Sequence, residues 1–363
     1  MRATRRDVLA AGAVCASGCV TAPRQADVQS PTTSADARID FVGDMMLGRR
    51  VNGRWTGQEP ANVWGSTLQR LRALDGLIAN LECCISERGR RWPNKTFYFR
   101  ADPAFAVPAL EAADVSAVSI ANNHILDFRA PALRDTRSHL TDAGIAHAGA
   151  GTDRDTALDP AVVDAGGLTV GTVAFTDRRA SFAATEAGAG TAYATLEVSD
   201  PSTRLAVESA LDRAGAHDPD LLVASLHWGP NWETSPDDDQ QAFARWLIDH
   251  GVDVVHGHSA HVLQGVETYR GRPILYDCGD FVDDYSRKDG FHNKHSALFE
   301  VDVTDGRLAG LRIVPIRIEN EAATLAGGEA ASWVREAIRQ RSEQFGTTVE
   351  RAGDGVSVPL EAQ

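Results

Sequence analysis

Lysine is nearly missing from this chain: Lys95, Lys288 and Lys294 are the only three in 363 residues, so arginine carries most of the positive charge. We assign that bias no function. Basic residues number 36 against 50 acidic ones, a formal net charge of −14. Such a balance excludes a non-specific nucleic-acid binder, which must neutralise phosphates. It also means that a polyanionic ligand needs a local basic patch or a metal. No apolar run approaches the roughly 20 residues of a membrane-spanning helix. Cysteine is scarce as well. Beyond Cys15 and Cys19 only Cys83, Cys84 and Cys278 remain, an odd number with two adjacent, so no disulfide framework follows.

What is present begins at the N-terminus. Thr4-Arg5-Arg6-Asp7-Val8-Leu9 precedes the mildly apolar stretch from Ala10 to Ala16, the layout of a short export signal. The adjacent arginines resemble a twin-arginine signal. Ala16-Ser17-Gly18-Cys19 resembles a lipobox with Ala16 where leucine is usual, which makes Cys19 the expected lipidation site. Residues 1–19 therefore read as signal and 20–37, rich in Ala, Thr, Ser, Gln and Pro, as a flexible tether. The expected location is periplasmic or cell-surface, with the membrane engaged through a lipid anchor only. One large domain is expected over 38–320, then a C-terminal helix and a frayed tail over 321–363.

Hydrophobic content of 43% is ample for a core. Short apolar runs end at Val42, Leu81, Ala121, Leu226 and Val255, with helical spacing over Val63–Leu74, Ala132–Ala143 and Glu329–Gln344. Ser235 as N-cap with Pro236 at the first helical position predicts another helix, closed by Gly251. Strands alternating with helices argue an α/β fold of β-sheets flanked by helices. After His261, the runs Val262–Tyr269 with Pro273–Tyr276, and Ala297–Val303 with Leu308–Ile318, predict C-terminal β-hairpins.

Each of five strand ends carries a polar group: Asp44, Glu82, Asn122-Asn123-His124, His227, and the cluster His256, His258 and His261. Neutral imidazole, carboxylate and amide oxygen suit divalent Zn, Mn or Fe. Open α/β sheets gather functional groups at the carboxyl ends of their strands. Taken singly, Asp44 could cap a helix, Glu82 could lie on the surface, and Asn122-Asn123 could form a turn. Asp280, Asp283, Asp284 and Tyr285 follow another strand end, with His292 and His295 on the next loop. The basic run Arg88, Arg90, Arg91, Lys95 and Arg100 reads either as a receiver of an anionic substrate or as solvated surface.

The order of these motifs resembles the CapA family of bacterial capsule and poly-γ-glutamate synthesis proteins, whose domain is related to calcineurin-like metallophosphoesterases. The resemblance runs from about Ile39 to Ile318. It rests on Phe41-Val42-Gly43-Asp44-Met45-Met46-Leu47-Gly48-Arg49, Asn80-Leu81-Glu82, Lys95-Thr96-Phe97-Tyr98-Phe99-Arg100, Asn122-Asn123-His124, His227-Trp228-Gly229, Gly257-His258-Ser259-Ala260-His261 and Tyr276-Asp277-Cys278-Gly279-Asp280-Phe281. It implies a metallophosphoesterase-like layered sandwich holding one or two divalent ions on Asp44, Glu82, Asn123, His227, His258 and His261, with Glu82 able to bridge. By the same resemblance His124, near its ordinary pKa, protonates a leaving group. His256, Asn80, Asp280, Arg49, Lys95 and Arg100 are expected around the ligands or against substrate. Met46 stands where phosphoesterases carry the histidine of their Asp-x-His opening. The implied activity is metal-dependent hydrolysis or transfer on an anionic polymer, phosphoester or amide of the cell envelope. The alternative is a lipid-anchored assembly factor within a membrane polymer synthase complex.

Overall fold

A computed structural model describes residues 36–360. The export signal, the lipobox with Cys19 and nearly all of the tether lie outside the described residues.

Two sheets face each other. In the first, Ala37–Met45, Gly76–Leu81, Val115–Ser119 and Ala146–Ala148 run parallel, and His295–Thr304 and Arg307–Glu319 extend the sheet antiparallel beyond Ala37–Met45. In the second, Leu168–Thr176, Leu221–His227, Val254–His258 and Arg272–Leu275 run parallel between antiparallel edges at Ala161–Ala165 and Val266–Tyr269. Alternation along the strands sorts the side chains. Ile39, Phe41, Ile78 and Ala117 meet Val170, Val223 and Val254 between the sheets. Val42, Ala79 and Val118 face the other way, under the helices Pro103–Ala112 and Arg129–Asp142. Val173, Ala224 and Val255 pack under Pro201–Gly215 and Asp238–Asp249. The result is the layered α/β sandwich expected, with helices outside and sheets inside.

One irregularity positions the site. Ala37–Met45 pairs with His295–Thr304 as far as Phe41, and from Asp44 onward it pairs with Asp280–Val282 instead. The partner changes at Gly43. A Cβ there would fall 1.7 Å from the Gly279 carbonyl oxygen, the same oxygen that accepts the Asp44 N–H at 3.0 Å. Only glycine lets the two backbones approach that closely. The exchange of partners brings Asp44 and Asp280 into register on one sheet edge.

Four expectations need correction. Val63–Leu74 is not one helix: a 3₁₀ segment, Pro60–Thr67, is broken at Gly65 (φ 44°, ψ −131°) before the single turn Leu68–Leu71. Gly65 packs against the Ala323 carbonyl, and that tertiary contact overrides the helical spacing. The cap of Asp238–Asp249 is Asp237, whose carboxylate accepts from Gln240 N at 2.8 Å in a reciprocal capping box. Ser235 pairs with Gln344 instead, because a carboxylate two residues nearer the helix meets its orphan N–H groups better. Finally, the tail is not frayed over its described residues. Glu350–Ala352 and Gly355–Pro359 form a hairpin on Arg307–Glu319, burying Val356, Val358 and Leu360. That alternation, apolar inward with Ser357 between, covers an otherwise open sheet edge. His295, expected on a loop, begins a strand.

Candidate metal centre

The five expected strand ends converge at one end of the sandwich, where both parallel sheets terminate. Ligand-capable atoms of Asp44, His227 and His258 lie within 4.8 Å of one another, and so do those of Asp44, Glu82, His261 and Asp280. Asp44 belongs to both groups. Asp280, expected around the ligands, stands among them. Glu82, expected to bridge, belongs to the second group only.

Hydrogen-bond accounting fixes several rings. The His256 Nε2–H donates to the Val42 carbonyl at 2.9 Å, leaving Nδ1 to accept from the Ser225 hydroxyl at 3.0 Å. Ser225 Oγ then accepts from His258 Nε2 at 3.0 Å, so His258 presents a bare Nδ1. His227 Nε2 donates to the Asn123 side-chain oxygen at 2.9 Å, which bares its Nδ1 as well. The two bare nitrogens stand 2.9 Å apart, at 3.6 and 3.8 Å from Asp44 Oδ1. Two lone pairs and a carboxylate facing one point repel each other unless a cation or proton lies between them. His256 therefore acts behind the ligands, and burial pushes it down to about 4.

The second group is more sharply unbalanced. Asp44, Glu82 and Asp280 are buried together, and Asp44 Oδ2, both Glu82 oxygens and Asp280 Oδ2 accept no hydrogen bond. Burial raises Asp44, and burial with the Asp44 charge raises Glu82 well above the usual carboxylate range. Burial alone would lower His261, but Asp280, Glu82 and Asp44 outweigh it and hold the ring well above its ordinary range. His261 Nδ1 lies 2.9 Å from Asp280 and 3.2 Å from Asp44. Isolating charges from water costs several kcal/mol each unless compensated. Three carboxylates with one imidazolium are not compensated; a divalent cation would do so. Oxygen and nitrogen donors without cysteine fit Mn, Fe or Zn.

Supporting residues hold these groups. Asn80 Nδ2 donates to Asp44 Oδ1 at 2.6 Å, and Asn122 holds Asn80 in turn at 3.0 Å. His124 Nε2 sits 3.8 Å from Glu82, while its Nδ1 lies 2.7 Å from Asp127. Phe99 stacks on the ring at 3.6 Å, and its backbone N–H donates to Asp127 at 2.6 Å. Burial, then the neighbouring Lys95 ammonium, pushes His124 well below its ordinary range, contrary to the near-normal value expected. With Nδ1–H given to Asp127, Nε2 offers a lone pair toward Glu82. Lys95 contacts Asp127 and the Asn123 carbonyl beneath His124, so it braces the site. Arg49 is at the rim, paired with Asp284 at 2.8 Å and set beside the rings of Phe97, Phe99 and Tyr285. Arg100 does not join: its guanidinium lies over Phe128 at 4.0 Å.

Two supporting residues escaped sequence reasoning. Asp127 had a signal, three residues after His124. Ser225 had a weaker one, two before His227 on the same strand face.

The family profile described as "Bacterial capsule synthesis protein PGA_cap" matches residues 38–285. A "Probable polyglutamine synthesis accessory protein" of Mycobacterium tuberculosis (strain H37Rv) is 35% identical over 334 residues, covering 85% of this chain and 84% of its own. "Capsule biosynthesis protein CapA" of Bacillus anthracis is 27% identical, over 77% of this chain and 67% of its own. "PGA biosynthesis protein CapA" of Bacillus subtilis is 28% identical, over 77% and 70%. A hypothetical protein of Thermus thermophilus aligns at TM-score 0.45 and 15% identity, over 78% of this chain and 100% of its own, a likeness too distant to carry an argument.

Proposed function

The chain belongs to the bacterial capsule synthesis protein PGA_cap family, and on that premise we propose that it serves capsule or poly-γ-glutamate synthesis or export by metal-dependent hydrolysis or transfer on an anionic envelope substrate. The observation that carries the reading is the pair of ligand groups sharing Asp44, with four buried carboxylate oxygens left unpartnered. Asp44, His227 and His258 would hold one ion, with Asn123 beside them. Asp44, Glu82, His261 and Asp280 would hold another. A divalent ion bound there supplies Lewis acidity and lowers the pKa of water. The chain's own residues do the rest. Asn80 and Ser225 lock ligand orientation, and Asp127 and Phe99 lock the His124 ring. His124 Nε2, bare and facing the site, accepts the proton released by the attacking water and passes it to the leaving group. Arg49 at the mouth orients an anionic substrate. Export through the Arg5-Arg6 signal and anchoring at Cys19 would put this chemistry at the envelope.

The test is metal analysis of the purified chain, with phosphoester and γ-glutamyl amide assays before and after chelation. Full activity in an Asp44→Ala/His258→Ala variant would sink the catalytic reading. The relatives' names favour a second reading, a non-catalytic accessory protein of a polymer synthase complex. On that reading the double variant still supports polymer formation in cells.

A further inference from the structure

A cavity of about 650 Å³ is lined by Arg287, His292, Lys294, His295, Arg317 and Trp333, together with Gly327, Glu329 and Ala330. Arg287, Lys294 and Arg317 line it against Glu329; Lys294 pairs with Asp283 and Arg317 with Glu319 at 3.2 Å, which leaves Arg287 as the lining cation with no ion pair among the described residues, on a chain of net charge −14. Nor is it a loose surface patch. Asn293, buried at the root of the loop, accepts from Lys288 N at 2.8 Å and donates to Ser286 O at 3.2 Å, closing the loop on itself. His292 stacks on Trp333 at 4.2 Å, and His295 packs against the same indole at 5.1 Å.

Two features show what is lacking. The Nδ1 atoms of both His292 and His295 are buried without a hydrogen-bond partner, which a folded protein seldom tolerates. The 16-residue helix Gly328–Glu343 points its N-terminus at the cavity, and its cap Gly327 offers no side chain to the first N–H groups. Helix N-termini with free N–H groups favour anions. Arginine forks bind carboxylate or phosphate in pairs of hydrogen bonds.

The geometry points to a second, non-catalytic binding site for a carboxylate group of a polycarboxylate chain, held by Arg287, Arg317 and the helix N-terminus, with Trp333 in the cavity wall. The ligand class, though not the pocket, rests on the function proposed above. The pocket and the metal centre share one wall. Lys294 reaches the cavity while pairing with Asp283, which is buried against Asp280. A polymer offers several carboxylates to Arg287, Arg317 and the helix N-terminus, where a lone anion offers one group.

The experiment is titration calorimetry on the full-length chain, stripped of metal and dialysed free of chelator so that the metal centre does not contribute. The probes are γ-linked hexaglutamate, uncharged hexaglutamine and inorganic phosphate. Hexaglutamate is expected to bind, hexaglutamine not at all, and phosphate at least tenfold more weakly. Arg287→Ala/Arg317→Ala should weaken hexaglutamate at least tenfold while leaving metal content and any phosphoesterase activity unchanged. Phosphate binding as tightly as hexaglutamate would overturn the polymer assignment. Hexaglutamate binding that is absent, or equal in the double variant, would overturn the site. Because the readout is binding without metal, failure of the hydrolase reading leaves this result standing, and the reverse also holds.

Discussion

Asp44→Asn should make the metal-free protein more heat-stable and the metal-loaded protein less so. The substitution keeps shape and volume, and the amide oxygen still accepts from Asn80. It removes a negative charge buried with Glu82 and Asp280 and raised by that burial. Relieving one uncompensated buried charge is worth about 1–2 kcal/mol after relaxation. With 325 described residues and an unfolding entropy of about 2.1 cal/mol/K per residue, 1 kcal/mol moves the melting temperature by about 1.5 °C. The chelated variant should therefore melt about 2–3 °C above the chelated parent. Metal reverses the order. A ligand at a hundredfold its Kd stabilises by about 2.7 kcal/mol, or about 4 °C per site. The parent should gain that increment, and Asp44→Asn should gain little, because both ligand groups lose their shared carboxylate. Thermal melts with and without Mn or Zn, paired with mass-spectrometric metal counts, read both quantities. His258→Ala supplies the contrast: it should lose about one ion and keep the other. A variant Asp44→Asn that binds metal like the parent, or that is less stable in chelator, refutes the shared-carboxylate geometry.

Three further outcomes are expected. Asp127→Asn should leave metal content intact and lower turnover by about 10²-fold, since His124 loses the partner that orients Nε2; an unchanged pH–rate profile and rate would remove His124 from the chemistry. Gly43→Ala should cost more than about 3 kcal/mol and accumulate poorly as folded protein, because its Cβ would meet a carbonyl oxygen at 1.7 Å; a normal circular-dichroism melt would contradict that packing. His295 is lowered to about 4 by burial, then by the charges of His292, Arg317 and Arg287. Its folded pKa lies below the unfolded value of about 6.5, so the unfolded chain binds more protons between them and stability falls as pH drops through that window. His295→Gln should flatten this part of the stability–pH curve, and an unchanged slope between pH 6.5 and 4 would show that the ring is not buried as described.

Much of the site was legible because the signal is local. Candidate ligands sit after apolar runs, and a parallel strand places its next polar residue at a shared sheet edge. Asp44, Glu82 and His227 obey that rule, whereas His258 and His261 lie two and five residues past His256, the first polar residue after Val255. The helix cap at Asp237 was missed by two residues because Ser235-Pro236 and Asp237 both satisfy local cap chemistry. The broken 3₁₀ segment at Gly65 and the tail hairpin were illegible for a different reason. Their conformation is set by Ala323 and by the edge of Arg307–Glu319, partners remote in sequence.

From residue order alone come the kinds of donor, the strand ends that carry them and the sandwich that gathers them, since periodicity and strand-end chemistry act within a few residues. Tertiary structure alone decided that Asp44 belongs to both groups of candidate ligands and Glu82 to one, that Asp280 joins the second group, that Arg100 turns to Phe128, and that a pocket with basic lining forms around Trp333. Each is a coincidence in space between distant segments. The exchange of strand partners at Gly43 shows why: it depends on a carbonyl more than two hundred residues further along the chain, and nothing near Gly43 encodes where that carbonyl will lie.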